Sequence, residues 1–257
     1  MLRLFRKKEA QNRKREKISD PILDAQKRQP GSYELRNVID QWEPWAARYT
    51  TTAHFGRVEE IRYFNNCGPT ALTNLLLMVE KRFSRTDSDT DIDRARNIYH
   101  RVARFGIRHL YFINSRLRFA HGTSDFRAAS YIRRMCRRFL GIRPRIRLRR
   151  VTRENVRCSL EAGALLYLML WNHPAYQSHH LLAYGCEDAE NTDTGELRTY
   201  LKVSDGHSSD VRYLDISDIR GLYWEVRFPP QKAGTGTASL EAKASVEMPP
   251  KDAAEQK

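Results

Sequence analysis

Cys67 stands at the start of an apolar run, in the stretch Asn65-Asn66-Cys67-Gly68-Pro69-Thr70-Ala71-Leu72. A thiol at a helix N-terminus meets free backbone N–H groups and the positive end of the dipole. Its thiolate is favoured there and its pKa is expected to fall. Gly68 lets another backbone approach the sulfur, and Pro69 suits a first helical turn, where its missing N–H costs nothing. Such a nucleophile needs a base within hydrogen-bond reach, and the base needs a third group to hold its ring. His179 and His180 open the run His179-His180-Leu181-Leu182-Ala183-Tyr184-Gly185, and Asp205 closes Leu201-Lys202-Val203-Ser204-Asp205-Gly206. If these two runs pair as an antiparallel ribbon, an imidazole and a carboxylate meet at one rim of a sheet. Adjacent strand residues face opposite sides, so only one of the two histidines can look into a cleft.

The elements that must position these groups follow from periodicity. Leu72, Leu75, Leu76 and Val79 recur at helical spacing, which predicts a buried helix over 67–83. A second helix is expected near 92–105 with Asp91 as its cap. A third is expected from Ser124-Asp125 to Leu140, closed by Gly141. Ile146 and Leu148 alternate with arginines as in a short strand, and Thr152 opens a brief helix through Leu160. From Ala164 the pattern turns to strands: 164–170 as a central, doubly buried one, then 179–185, 199–204, 211–214 and 222–228. Helices first and an antiparallel sheet afterwards predict an α+β fold whose two halves meet at a cleft. Residues 33–60 read as irregular, with Trp42, Trp45, Tyr49 and Phe55 as packing anchors.

At 257 residues and 40% hydrophobic content, the chain is long enough to bury a substantial core. Residues 1–30 carry ten Lys/Arg against four acids and few large apolar side chains, so they read as a basic tail, disordered or weakly helical. Leu2, Leu4 and Phe5 add only a faint membrane-surface signal to that tail. Residues 31–229 read as one domain and 230–257 as a second disordered tail. No apolar run is long enough to span a membrane, and the first residues lack the core of a secretion signal. Four cysteines (Cys67, Cys136, Cys158, Cys186) without CxxC spacing argue against structural zinc and a disulfide framework, and fit a reducing cytoplasm. No helix carries two histidines at ligand spacing; His121, His173 and His207 sit by turn residues, so no metal and no cofactor are expected.

Taken together, Cys-Gly-Pro-Thr-Ala-Leu, a strand of form His-x-x-x-x-x-Gly and a strand ending in Asp-Gly resemble the bacteriocin-processing (double-glycine) peptidases and their relatives. Those belong to the papain-like cysteine peptidase superfamily, and the resemblance covers residues 60–228. It implies a papain-like fold with the nucleophile helix packed on the sheet. It also implies Cys67 as nucleophile, His179 as general base and later acid, and Asp205 as the group that orients the imidazole. His180 competes for the base, and the His-to-Gly register favours His179. The chain departs from the superfamily where a glutamine normally stands six residues before the cysteine, because that residue is Ile61. Asn65 and Asn66 are the nearest amides, and Asn66 is the preferred oxyanion donor beside the Cys67 N–H.

The expected function is therefore a cysteine-dependent hydrolase that cleaves a peptide or isopeptide-type amide through a thioester. Acyl transfer on the same triad, and a non-catalytic module that binds a peptide or an anionic partner, are the alternatives. Each residue also has a purely structural use: a buried inert thiol, strand histidines satisfied by backbone, and an Asp-Gly turn. From Arg94 to Arg150 there are seventeen arginines, no lysine and one acid, Asp125. Such a block is either a solvated surface or a site for an acidic partner. It carries no recognised nucleic-acid motif, and charge alone gives only salt-sensitive, nonspecific binding.

Overall fold

The computed structural model describes residues 16–50, 66–84, 92–113 and 122–229. The sequence expectations placed on Leu2, Leu4, Phe5, Phe55, Ile61, Asn65, Asp91, His121 and the stretch 230–257 lie outside the described residues. Along the chain run α1 (Pro21–Arg28), β1 (Tyr33–Ile39), α2 (Cys67–Ser84), α3 (Ile92–Arg108), β2 (Phe112–Ile113), β3 (Gly122–Thr123) and α4 (Ala128–Leu140). There follow β4 (Arg145–Arg150), α5 (Arg153–Glu161), β5 (Leu165–His173), β6 (Gln177–Asn191), β7 (Leu197–Ser204), β8 (Arg212–Asp215) and β9 (Gly221–Arg227).

All the sheet pairings are antiparallel, in the order β4-β9-β5-β6-β7-β8, with β1 added beside β6. The fold is thus α+β, as the order of patterns along the chain predicts. Strand β6 is the spine. Its first half pairs with β5 (Leu166 with Ala183) and its second half with β1 (Tyr33 with Asn191), while β7 runs along its other side. Strand alternation then sorts the core into two faces. Leu165, Tyr167, Met169, Leu182 and Tyr184 pack with Leu72, Leu75, Leu76 and Val79 of α2. Leu166, Leu168, Leu170, Leu181 and Ala183 face the opposite side, against Val156 and Leu160 of α5. Helix α2 is buried on nearly all sides, from Gly68 to Val79, which fixes the direction of its first turn.

Two segments depart from the sequence reading. Tyr33–Ile39 is a strand and not irregular chain; its exposed middle (Glu34, Arg36, Asn37) and the positive φ of Asn37 conceal the alternation a strand normally shows. Residues 16–30 of the expected tail are folded. Asp20 caps α1 through the Ile22 and Leu23 N–H groups, Ala25 is buried against Tyr33, Ala189 and Tyr200, and Ile18 bridges to Tyr213. Charge also docks this helix. Arg28 is ion-paired with Asp24, Asp215 and Asp218, of which Asp215 is buried. Trp42 is a core anchor as expected, its indole N–H donating to the Gly163 carbonyl at 3.1 Å. Among the described residues no helix is long and apolar enough to cross a membrane.

Candidate active site

Cys67 is the first residue of α2, half-buried, at the wall of a cleft of about 520 Å³ between the helical layer and one rim of the sheet. That cleft is lined by Asn66, Cys67, His179, His180 and Asp205, and also by Thr123, Asp125, Trp171 and His207. The rim forms because β6 begins where β7 ends: Leu182 pairs with Ser204, which carries the two histidines up beside Asp205. The separately expected residues therefore share one cavity, but their contacts differ from those the ribbon suggests.

His179 and His180 take opposite faces. His180 lies on the face of Leu182 and Tyr184, which is the α2 side; its ring is 5.5 Å from that of Tyr167, whose hydroxyl donates to the Gly68 carbonyl at 3.4 Å. His180 Nε2 reaches two acceptors, Asp125 Oδ1 at 3.1 Å and the Thr123 carbonyl at 3.2 Å, while its Nδ1 is buried with no hydrogen-bond partner. Two acceptors at Nε2 put the proton of a neutral imidazole there, leaving the Nδ1 lone pair available. His179 points the other way, into a stack with Tyr176 (5.6 Å) and His207 (4.8 Å). Its Nε2 donates to the backbone carbonyl of Asp205 at 2.9 Å. Burial, with the charges of His207 and His180, pushes the His179 pKa down to about 4, although the Asp205 carbonyl works in the other direction.

Asp205 does not orient either imidazole with its carboxylate. Oδ1 accepts from the His207 and Ser208 N–H groups (2.8 and 2.9 Å), and Oδ2 from the Tyr176 hydroxyl and Lys17 Nζ (3.0 and 3.1 Å). It caps the turn after β7, and those donors hold its pKa below the usual carboxylate range against the upward push of burial. The carboxylate that faces an imidazole is Asp125. Its Oδ2 also accepts from the Trp171 indole at 2.9 Å, and its carbonyl accepts from Trp224 at 3.0 Å. Burial raises its pKa, but the bonds from His180 and Trp171 outweigh that and leave it lowered. The sequence placed Asp125 at the start of a helix; α4 begins later, at Ala128, and Asp125 is released from capping to serve the cleft. The overlooked signal was its isolation, the one acid among seventeen arginines.

The thiol environment also corrects an expectation. Burial pushes the Cys67 pKa up, and the backbone N–H groups of His180, Gly68 and Cys67 itself only partly offset this. The dipole argument holds for the local donors and is outweighed by desolvation. Asn66, expected as the oxyanion donor, lines the cleft and donates one Nδ2 hydrogen to the Tyr99 hydroxyl at 2.7 Å. Gly68 serves a packing need: a Cβ there would fall 1.9 Å from Thr123 Oγ1. That close approach brings β3, and with it the Thr123 carbonyl, up to His180. Among the described residues no group of three or more His, Cys, Asp or Glu side chains is arranged to hold a metal ion. The chain matches no protein-family model, no curated protein and no solved structure.

Proposed function

We propose that the protein is a cysteine-dependent hydrolase of peptide or isopeptide-type amides, with Cys67 as nucleophile, His180 as base and Asp125 as the group that holds the imidazole. One observation carries this reading: on the same face of the sheet as the helix-mounted thiol, His180 is tied through Nε2 to Asp125 with Nδ1 buried and unpartnered. The resemblance to papain-like peptidases supports the same chemistry through different partners, since His179 and Asp205 give way to His180 and Asp125.

The steps are proton transfers between Cys67, His180 and the leaving amine. The Cys67 proton moves to His180 Nδ1 as sulfur attacks the amide carbonyl carbon, and Asp125 stabilises the imidazolium across Nε2–H. The oxyanion lies at the start of α2, where the Cys67 and Gly68 N–H groups precede the first intrahelical donor, Thr70 N–H to Asn66. Nδ1–H then protonates the departing amine, the C–N bond breaks and a thioester remains. Water, deprotonated by His180, attacks the thioester carbonyl and releases acid and thiol. An amine in place of that water would give acyl transfer, and product analysis with added amine separates the two outcomes.

The test is labelling of Cys67 by a peptidyl electrophile that requires an acid–base pair, in a Cys158→Ser background because Cys158 is exposed. His180→Ala is expected to slow labelling by about 10²-fold or more, the range of general-base catalysis, and His179→Ala to leave it within a few-fold. Equal rates for His180→Ala and the parent protein would overturn the assignment.

A further inference from the structure

Helices α3 and α4 meet where Tyr131 Oη donates to the Val102 carbonyl at 2.6 Å. Along their seam guanidinium groups alternate with rings: Arg101 over Phe139 (4.8 Å), Arg138 over Phe105 (5.8 Å), and Arg134 and Arg127 over Tyr111 (5.9 and 4.7 Å). Arg101, Arg134 and Arg138 are exposed. The acids of neighbouring segments are already engaged, Glu80 by Arg94, Asp93 by Arg96 and Glu225 by Arg149. The positive field reaches the partly buried His100, whose pKa is lowered by burial and by Arg104 and Arg96.

The stripe has a direction. Arg127 lies two residues from Asp125 in the cleft, and Arg134 and Arg138 continue along α4 away from it. Eleven residues of helix span about 16 Å, the reach of roughly five residues of extended peptide. We propose that this seam binds an acidic segment of the polypeptide whose amide enters the cleft, an assignment that rests on the hydrolase reading above. Single-stranded nucleic acid fits the seam less well, because stacking needs free ring faces and Phe105, Tyr111 and Phe139 are each faced by a guanidinium. Arg127 spends one N–H on the Leu110 carbonyl at 2.9 Å, whereas Arg101, Arg134 and Arg138, each held over a ring, present their N–H forks to a carboxylate and lose little freedom on binding one.

The experiment measures binding of a fluorescent Glu-rich decapeptide and of an oligonucleotide of equal charge to the Cys67→Ala protein, so that catalysis plays no part. The peptide is expected to bind with strong salt dependence, and Arg134→Glu/Arg138→Glu to weaken it on the order of tenfold or more. Arg145→Glu/Arg147→Glu makes the same charge change on exposed residues of β4 and is expected to have a much smaller effect. Equal losses for the two pairs, or tighter binding of the oligonucleotide than of the peptide, would overturn the proposal. Seam-dependent binding by a protein whose Cys67 proves inert to the electrophile would retain the docking surface and remove hydrolysis.

Discussion

Gly68→Ala tests whether the close contact between α2 and β3 sets the cleft geometry. The new Cβ would lie 1.9 Å from Thr123 Oγ1, 2.5 Å from its Cβ and 2.9 Å from its Cγ2. Ordinary contacts begin near 3.4 Å, so Thr123 must retreat by about 1 Å or more, and rotating its side chain is not enough because its Cβ also clashes. Overpacking of this kind costs about 1–3 kcal/mol, offset by up to about 1 kcal/mol from the better helix propensity of alanine. A retreat of that size also stretches the 3.2 Å bond from His180 to the Thr123 carbonyl beyond hydrogen-bonding range. Gly68→Ala should therefore lower the urea midpoint at unchanged m-value and slow Cys67 labelling together. Gly68→Ala/Thr123→Gly should recover much of both, giving a coupling energy of about 1–3 kcal/mol in the double-mutant cycle. Additive effects, or a Gly68→Ala protein as stable and reactive as the parent, would refute the packing argument.

His179, held near pKa 4 against an ordinary value of 6.5, binds its proton more weakly folded than unfolded. Its contribution is complete above pH 6.5 and is lost as pH falls from there to 4, by up to about 3 kcal/mol. His179→Gln should flatten that part of a stability–pH profile measured by urea unfolding. Asp205 and Asp125, both held low, extend the loss below the carboxylate range as they protonate. Asp205→Ala strands four donors around a fully buried carboxylate site and should cost about 2–4 kcal/mol in urea unfolding. Labelling of Cys67 in the folded fraction should survive that change but not Asp125→Ala. The opposite order would restore Asp205 as the orienting group.

The helix over Cys67, the Gly141 stop and the β half were legible because each writes its signal locally. Buried leucines recur at helical spacing in α2, Gly141 takes φ 67°, and β5 is apolar on both faces. The rim that gathers the site was legible as well, since a β6–β7 ribbon follows from two adjacent strands. Which histidine lies on the α2 side was not, because a face is set by what packs on it. The assignment of His180 to the α2 side depends on Leu182 and Tyr184 meeting Leu75 and Leu76, a contact between segments more than a hundred residues apart. Asp125 was hidden for the same reason: its partners, Trp171, His180 and Trp224, all lie in later strands. Helix α1 escaped notice because ion pairs to Asp215 and Asp218 anchor it, and a single sequence does not reveal such pairing.

Strand β6 receives β1 along its second half, with Tyr33 meeting Asn191 across most of the chain. A ribosome must therefore deliver nearly the whole domain before its earliest strand finds a seat, and β9 must still arrive between β4 and β5. Loop closure over such separations makes maturation slow, and until then β6 displays a bare edge open to pairing with other nascent chains. Shortening the protein to begin after Ile39 would make that transient exposure permanent.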